Sequence, residues 1–211
     1  MQVIEAIKRK LRWCLKRRYF NKTVVMRGDE DSRRGLLDLI AWFVDASDDG
    51  VGAGKALTMV EIGSYQGESA RMFLDSGKVG KLYCVDPWQM NFDKNDVCAF
   101  TDMSRIEQAF DRRVGGDTRV VKVKGTIDTL VALLEGGKDA VGDRIDVVYV
   151  DGCHTYEAVK YDLEKVLTRI KPRIVCGHDF SERWSGCKRA VLESVGTPDA
   201  TFCDTSWAKR L

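Results

Sequence analysis

Both histidines of the sequence stand beside an aspartate, directly after an apolar, strand-like segment. His154 follows Asp151 by three positions, and Asp179 follows His178 immediately. A neutral imidazole, with a pKa near ~6.5, can accept the proton of a hydroxyl group, and a nearby divalent cation can lower the pKa of that hydroxyl. The structural alternative is that these side chains only cap the helix that starts near Thr155 or bond to backbone N–H groups. The pattern predicts proton-transfer chemistry if the four side chains share one edge of the fold.

A glycine-containing turn follows the first strand-like segment, in the stretch VEIGSYQGESA at residues 60–70. Gly63 lets the backbone approach a ligand closely, and Gly67 precedes a helix whose first N–H groups can bind an acceptor. Asp86 closes the next strand-like segment, where a carboxylate can accept hydrogen bonds from the hydroxyls of a ribose. These residues indicate a nucleoside-binding site, with an ordinary strand-to-helix turn and a surface carboxylate as the structural alternative.

The spacing of the glycines indicates the type of nucleoside. A dinucleotide site has the pattern G-x-G-x-x-G, whose closely spaced glycines admit a pyrophosphate. Here the pattern is E-x-G-x-x-x-G-x-S, in which Ser64 and Tyr65 crowd the place of a pyrophosphate and Glu61 precedes the first glycine by two positions. Because a carboxylate repels phosphate and attracts an amino group, the pattern favours a nucleoside that carries an amino acid, S-adenosylmethionine.

The segments that must position these residues alternate between strand and helix patterns. The strand-like runs are ALTMVEI, KLYCVD, RVVKVKG, IDVVYVDG and RIVCGHDF. Helix-like runs, among them SARMFLDSG, TLVALLEGG, TYEAVKYDLEKVLTRI and CKRAVLESV, separate and follow them. This order is typical of an α/β fold with a doubly wound, mostly parallel sheet that helices cover on both faces. The carboxyl ends of the strands would then bring the candidate residues to one edge.

A helical N-terminal extension is predicted before this sheet. The helix-like run GLLDLIAWFVDAS has an apolar side made of Leu36, Leu37, Ile40 and Phe43 or Val44. The first twenty residues form a basic amphipathic segment, which can pack on the domain or on a second subunit, or lie on an anionic membrane surface. We favour packing, because the apolar stripe is narrow, and a homo-oligomer would bury it. We therefore expect an extension over residues 1–45 and one domain over residues 46–211.

Composition and charge exclude several classes of protein. The 211 residues, of which 44% are hydrophobic, suffice for the core of a single domain. Residues 1–22 carry eight Lys or Arg side chains and one acid, so the rest of the chain has a net negative charge and no nucleic-acid partner is expected. The seven cysteines include no C-x-x-C pair, which indicates free thiols in a reducing, cytoplasmic compartment. No apolar run approaches the ~20 residues that span a bilayer.

A family resemblance joins these motifs. The stretches VEIGSYQGESA, LYCVDPW, IDVVYVDGCHTYEAVKYDLEKVLTRIKPRIVCGHDF and GCKRAVLESV resemble the successive motifs of class I S-adenosylmethionine-dependent methyltransferases. They are most similar to the macrocin-type branch of small-molecule and sugar O-methyltransferases. The resemblance covers roughly residues 57–208 and implies a Rossmann-like methyltransferase fold, with a seven-stranded sheet whose antiparallel final strand comes from TFCDTSWAKRL. It implies methyl transfer to a hydroxyl of a small molecule or a sugar.

The resemblance also implies which residues bind the cofactor. Those of the glycine turn lie near its methionine part, Asp86 holds the ribose, and Gly125 and Thr126 border the adenine. The acid that the family commonly has beside the adenine is absent from that stretch, and Trp88 is expected to wall the pocket. The implied cofactor-binding residues are Glu61, Gly63, Ser64, Gly67, Ser69, Asp86, Trp88, Gly125, Thr126 and Asp151.

Two arrangements for the reaction follow from the resemblance. In the metal-free arrangement, Asp151 orients His154, which acts as the general base. In the metal-dependent arrangement, a divalent cation is bound by Asp151, His178 and Asp179, with His178 in the place of an acid. Because imidazole suits softer ions better than Mg²⁺, that replacement disfavours magnesium.

Two other functions remain open at this stage. A nicotinamide-dependent oxidoreductase is disfavoured by the missing middle glycine, and a non-catalytic cofactor-binding protein, recruited through its basic N-terminus, would keep the same pocket. The N/D-P-P-Y/F motif of enzymes that methylate amino groups of bases is absent. Arg183, Trp184 and Lys188 are candidates for an acceptor pocket, although their spacing does not require one, and Lys160 and Asp162 fit the solvated face of a helix.

Overall fold

A computed structural model describes residues 29–47, 55–94, 96, 101–136 and 144–211. The predictions for the basic segment at residues 1–22 lie outside the described residues. Among the described residues, no helix has the length and apolar character that crossing a bilayer requires. The cysteines in these ranges, Cys84, Cys153, Cys176, Cys187 and Cys203, all carry free thiols.

Alternating strands and helices make up the described chain. The strands are β1 (Leu57–Ile62), β2 (Val79–Asp86), β3 (Val120–Lys124), β4 (Val147–Val150), β5 (Ile174–Gly177), β6 (Ala200–Thr201) and β7 (Trp207–Arg210). The α-helices of the described ranges are α1 (Glu30–Ser47), α2 (Glu68–Asp75), α3 (Met103–Phe110), α4 (Ile127–Gly136), α5 (Tyr156–Lys165) and α6 (Ser185–Val195). Short π-helical turns, Asp111–Gly115 and Val166–Ile170, continue α3 and α5.

One seven-stranded sheet organises the molecule, in the order β3-β2-β1-β4-β5-β7-β6. The first five strands pair in parallel, and β7 pairs antiparallel with both β5 and β6. This confirms the predicted α/β, doubly wound, mostly parallel sheet with an antiparallel strand from the C-terminal tail. The strand order reverses between β1 and β4, which is where open α/β sheets bind their ligands.

Helices cover both faces of this sheet. On one face, Phe73 of α2 and Ile106 of α3 pack with Met59 and Tyr149 of the sheet. On the other face, helices α4, α5 and α6 contribute residues such as Leu130, Leu163 and Ala190 to a second buried cluster. The central strands are therefore buried on both sides, which is why β1, β4 and β5 are almost continuously apolar in sequence.

Helix α1 shares the core of the sheet. Leu36, Leu39, Ile40 and Phe43 are buried in the same cluster as α2 and α3. The predicted apolar side is thus right for Leu36, Ile40 and Phe43 but wrong for Leu37, which is 54% exposed. Positions 36, 39, 40 and 43 follow the spacing of a helix stripe, and position 37 falls beside it. The described part of the predicted N-terminal extension therefore shares its hydrophobic core with the rest of the domain.

Candidate functional site

A cavity of about 350 Å³ lies at the carboxyl ends of the parallel strands. Its walls come from the turns after β1, β2, β3, β4 and β5, together with part of α1 and the segment after β2. The cavity brings together these predicted residues: Gly63, Ser64, Ser69, Asp86, Gly125, Thr126, Asp151, His154, His178 and Asp179. Residues as far apart in sequence as Gly63 and Asp179 thus meet at one site, because parallel strands end at the same edge of the sheet.

Gly63, in the turn after β1, lies in close contact with the turn after β4. Gly63 has a φ of 90°, and a Cβ placed on it would lie 2.0 Å from the carbonyl oxygen of Asp151. Its N–H donates to the carbonyl oxygen of Val85 at 2.8 Å, which ties the ends of β1 and β2 together. Only glycine fits this position, because both the left-handed backbone and the contact with the β4 turn exclude a side chain.

Gly67 and Glu61 lie behind the cavity wall and do not line it. Gly67 begins α2 in a left-handed conformation, and a Cβ there would face the side chains of Phe110 and Val114 at 3.1 Å. The Glu61 side chain is fully buried and accepts a hydrogen bond from Oγ of Ser69, which does line the cavity. Ser69 therefore stands between the Glu61 carboxylate and the cavity.

Asp86 ends β2 with its carboxylate held by two backbone groups. The N–H of Tyr65 donates to Oδ2 at 2.8 Å, and the N–H of Trp88 donates to Oδ1 at 2.6 Å. Burial raises the pKa of Asp86 to about 6, although the same two N–H bonds favour the charged form. The carboxylate lines the cavity, and its geometry fits the predicted contact with ribose hydroxyls.

Trp88 differs from its predicted place on the pocket wall. Its ring is 5% exposed and packs against Phe110, with the centroids 4.9 Å apart, and its Nε1–H donates to the carbonyl oxygen of Tyr65 at 2.7 Å. The flanking residues Pro87 and Gln89 line the cavity instead. Trp88 has a φ of 43°, and this left-handed conformation directs its side chain into the core and away from the cavity.

His154 lies between carboxylates on both sides of its ring. Nδ1 is 2.9 Å from Oδ2 of Asp93 and 3.3 Å from Oδ2 of Asp96, and Nε2 is 2.8 Å from Oδ2 of Asp179. The backbone N–H of His154 also donates to Asp93, at 2.6 Å. Asp151 is farther away, with Oδ1 at 4.0 Å from Nε2. The helix cap is Thr155, whose Oγ1 accepts from the N–H of Ala158, so His154 is not the residue that caps α5.

These acids determine the charge of the ring. Burial lowers the pKa of His154, but hydrogen bonds to Asp179 and Asp93 and the negative charges of Asp179 and Asp151 outweigh burial and raise it to about 12. Burial raises the pKa of Asp179, whereas its hydrogen bonds to His154 and His178 lower it, and the net shift is downward. A protonated imidazole in this arrangement donates one hydrogen bond from each ring nitrogen, to Asp93 and to Asp179.

Asp151, His154 and Asp179 have ligand atoms that all lie within 4.8 Å of one another. Two carboxylates and an imidazole are a donor set suited to divalent cations such as Mn²⁺ or Fe²⁺. The predicted histidine of this set was His178, whose Nδ1 lies 3.1 Å from Oδ1 of Asp179 and 3.8 Å from Oδ1 of Asp151. His178 is therefore adjacent to the cluster, and His154 takes its place in it.

Several residues of the site were not predicted from the sequence. Asp93 and Asp96 belong to the irregular segment after β2, and Asp162 lies on α5 with its carboxylate toward the cavity. No local pattern marks Asp93, because its partner His154 is distant in sequence and only the fold brings the two together. Arg183 and Trp184 line the cavity as the sequence allowed, and the Trp184 ring lies 4.8 Å from that of His154. The remaining candidate, Lys188, pairs with Glu182 instead.

Comparisons with known proteins agree with this architecture. A family model described as a methyltransferase domain matches residues 60–180. Among solved structures, this chain is similar to CalS11, a TDP-rhamnose 3'-O-methyltransferase, with 17% identity, a TM-score of 0.55, and coverage of 91% of this chain and 89% of that one. It is also similar to the MTase domain of METTL16, with 16% identity, a TM-score of 0.51, and coverage of 82% of this chain and 65% of that one. A search of curated proteins found no significant match.

Proposed function

This chain belongs to the methyltransferase domain family and is a class I S-adenosylmethionine-dependent methyltransferase, and we propose that its acceptor is a hydroxyl group of a small molecule or sugar. The observation that carries the proposal is the cluster of Asp151, His154 and Asp179, which faces the same cavity as Asp86. A hydroxyl must lose its proton during methyl transfer, and a cluster of imidazole and carboxylates beside the cofactor site can meet that need. Because the chain belongs to this family, the nicotinamide-dependent oxidoreductase that the sequence left open is no longer a candidate.

The cofactor site in this proposal consists of the turns after β1, β2 and β3. Asp86 accepts hydrogen bonds from the ribose hydroxyls with the oxygen lone pairs that Tyr65 and Trp88 leave available. Gly63 and Ser69 border the methionine part, and Glu61 acts through Ser69 because its own side chain lies beneath. The cofactor supplies a sulfonium whose methyl group is activated for transfer, so the protein has to align the acceptor oxygen and remove its proton.

The candidate cation site fits the donor atoms of the cluster. Asp151, His154 and Asp179 would hold the ion, which would fix the acceptor oxygen and lower the pKa of its hydroxyl. With Nδ1–H donating to Asp93, Nε2 of His154 is directed toward Asp179, which is the arrangement of a metal-bound histidine oriented by a carboxylate. Asp93 then fixes the orientation of the ring without touching the reacting atoms.

General-base catalysis by His154, the metal-free alternative, requires a different state of the cluster. Both ring nitrogens face carboxylates, at 2.9 and 2.8 Å. The ring could accept the hydroxyl proton at Nε2 only after losing its own proton and opening the contact with Asp179. A cation bound at Nε2 needs the same loss of the proton, but its own positive charge then offsets Asp151 and Asp179 in place of the protonated ring. We therefore favour cation-assisted deprotonation and keep the metal-free route as the second candidate.

The acceptor would lie beyond the cluster, beside Trp184. Its ring centroid lies 4.8 Å from that of His154, and Cζ of Arg183 lies 5.7 Å from the centroid of the same indole. An aromatic face of this kind packs well against the C–H face of a sugar, and a neighbouring guanidinium can bind an anionic group of the acceptor. These features support the macrocin-type branch and make nucleotide sugars the first acceptors to test.

The direct test is turnover of S-adenosylmethionine with a panel of hydroxylated acceptors, followed by identification of the methylated atom. We expect S-adenosylhomocysteine to form only with an acceptor that carries a free hydroxyl. Methylation of nitrogen in an acceptor without a hydroxyl would contradict the proposal. Binding of S-adenosylhomocysteine without turnover, in a panel that includes nucleotide sugars and phenols, would instead favour the non-catalytic cofactor-binding alternative.

A further inference from the structure

Asp162 is a carboxylate at the cavity that the proposed reaction does not use. It lies on α5, is mostly buried, and lines the cavity together with Ile127 at the start of α4. A Cβ placed on Gly152 would be 3.6 Å from Oδ2 of Asp162, so the carboxylate lies directly beneath the turn that follows β4. The sequence pattern assigned this residue to the solvated face of its helix, and the structure places it against the cavity instead.

The neighbours of Asp162 do not provide it with a donor. Asp128, on α4, adds a like charge, and burial together with that charge raises the pKa of Asp162 to about 7. The nearby donors are engaged elsewhere, since the hydroxyl of Tyr161 and Nζ of Lys165 both bind Asp128, at 2.9 and 3.2 Å. Within the described ranges, no side chain or backbone N–H donates to Asp162. A buried carboxylate of this kind gains most from a donor on a ligand.

The cavity that Asp162 lines also has apolar walls, against which the flat faces of a base can pack. Its apolar walls come from the ends of two neighbouring strands and the start of α4: Ile62, Val85 and Ile127. In the sheet order, β3 and β2 lie on one side of β1, and the strands β4 and β5, which precede Asp151 and His178, lie on the other. A nucleoside whose ribose meets Asp86 must direct its methyl group toward the His154 cluster, so its base is left to occupy the pocket near Thr126 and Asp162.

We propose that Asp162 accepts a hydrogen bond from the exocyclic amino group of the cofactor's adenine and thereby selects adenine over a 6-oxopurine. The inference rests on the proposed cofactor site. It provides the adenine with a carboxylate acceptor, which the stretch after β3 lacks. A 6-oxopurine presents a carbonyl oxygen at the same place, and two acceptors facing each other in a partly buried pocket repel one another. Asp162 is therefore a specificity-determining residue that binds the cofactor from a helix.

Calorimetric titration of the full-length protein tests this inference with two ligands, S-adenosylhomocysteine and S-inosylhomocysteine. The titrations are made at pH 8.5, so that Asp162 is ionised and cannot donate to the carbonyl oxygen. We expect the wild type to bind the adenine compound at least about tenfold more tightly, since a hydrogen bond to a charged acceptor is stronger than one between neutral groups. Asp162→Asn should lower that ratio by about tenfold, because the amide can donate to the 6-oxo group.

Asp128→Asn is the matched control, because it removes the neighbouring charge without changing a residue of the cavity wall. The ratio of the two dissociation constants should stay at the wild-type value in this variant. A ratio in Asp162→Asn that equals the wild-type ratio would overturn the inference and leave the cofactor site intact. Equal affinities of the wild type for both ligands would overturn it without any variant. Failure of the wild type to bind S-adenosylhomocysteine would overturn the proposed cofactor site as well.

Discussion

Nε2 of His154 lies 2.8 Å from Oδ2 of Asp179, although the two residues follow different strands, β4 and β5. Those strands are neighbours and run in parallel, so the turns after them are side by side at the edge of the sheet. The pair joins the two turns through one hydrogen bond, and Asp93 holds the opposite nitrogen of the same ring. His154 is thus the residue through which the turns after β2, β4 and β5 are connected.

Replacement of His154 should therefore reduce methyl transfer strongly. We expect His154→Ala to lower kcat by about 10²–10⁴-fold, the range for loss of a group that assists proton transfer. His178→Ala is the matched control, because His178 contacts the same Asp179 from outside the cluster, and its cost should be at least tenfold smaller. Steady-state kinetics on purified variants measure both values. A larger loss in His178→Ala would restore His178 as the histidine of the catalytic set.

Removal of divalent cations distinguishes the two proposed mechanisms. Dialysis against EDTA should abolish turnover while binding of S-adenosylhomocysteine stays within a few-fold of its original value, because the cofactor site does not use the cluster. Mn²⁺ should restore activity better than Mg²⁺, since an imidazole ligand disfavours magnesium. Activity that persists in EDTA, in protein shown by elemental analysis to be metal-free, would support His154 as the general base.

Asp86 should determine cofactor affinity. Asp86→Ala removes the proposed acceptor of the ribose hydroxyls, and we expect the dissociation constant of S-adenosylhomocysteine to rise about 100-fold or more. The variant also loses the hydrogen bonds from Tyr65 and Trp88, so its Tm has to be measured together with its affinity. Asp38→Ala, on the exposed side of α1, provides a control that should leave affinity unchanged. Wild-type affinity in folded Asp86→Ala would remove Asp86 from the proposed site.

Sequence patterns were sufficient for the fold because they report on local burial. The apolar runs of β1, β4 and β5 reflect strands covered on both faces, and the intervening amphipathic helices require a parallel sheet to pack on. The same reasoning failed for Leu37, which the structure exposes. A stripe of apolar residues can be drawn along a helix in more than one way, and only the position of the neighbouring sheet selects one.

Site residues were predictable from the sequence where the backbone conformation or the position at a strand end calls for one particular residue type. Gly63 stands out in the sequence because a glycine in the turn after β1 lets the backbone approach a ligand, and Asp86 because it ends the neighbouring strand. Asp93 and Asp162 were not identified, since a carboxylate in an irregular segment or on a helix face has no local signature. Asp93 contacts His154, and Asp162 lies beside Gly152. Only folding brings these pairs together.

The close approach at Gly63 should make this turn sensitive to a single methyl group. Gly63→Ala places a Cβ 2.0 Å from the carbonyl oxygen of Asp151 and keeps an unfavourable φ of 90°, so we expect a loss of at least about 3 kcal/mol in the free energy of unfolding. Gly77→Ala has a similar φ of 70° but meets no atom within 4 Å, and should cost only about 1 kcal/mol. Urea denaturation measures both, and equal losses would mean that the contact is relieved by movement of the turn.

The raised pKa of Asp162 makes its contribution to stability depend on pH. Folding raises the pKa from about 3.8 to about 7, so the stability that this group contributes is fully present below pH 3.8 and is lost as the pH rises through 7. Asp162→Asn removes the cost of ionising a buried group, and it should be more stable than the wild type at pH 8 by about 1–3 kcal/mol after allowance for solvent screening. The difference should disappear at pH 4.

The neighbouring acid should behave in the opposite sense. A hydrogen bond from Tyr161 and the charge of Lys165 lower the pKa of Asp128, so its ionised form stabilises the fold above its unfolded pKa, and that contribution is lost as the pH falls. Asp128→Asn should therefore be less stable than the wild type at pH 8, whereas Asp162→Asn should be more stable. Thermal unfolding of the three proteins between pH 4 and pH 8 tests the contrast. If both substitutions stabilise the protein at pH 8, the cause is a general reduction of repulsion between negative charges. If Asp162→Asn destabilises it at pH 8, Asp162 accepts a hydrogen bond in the folded protein.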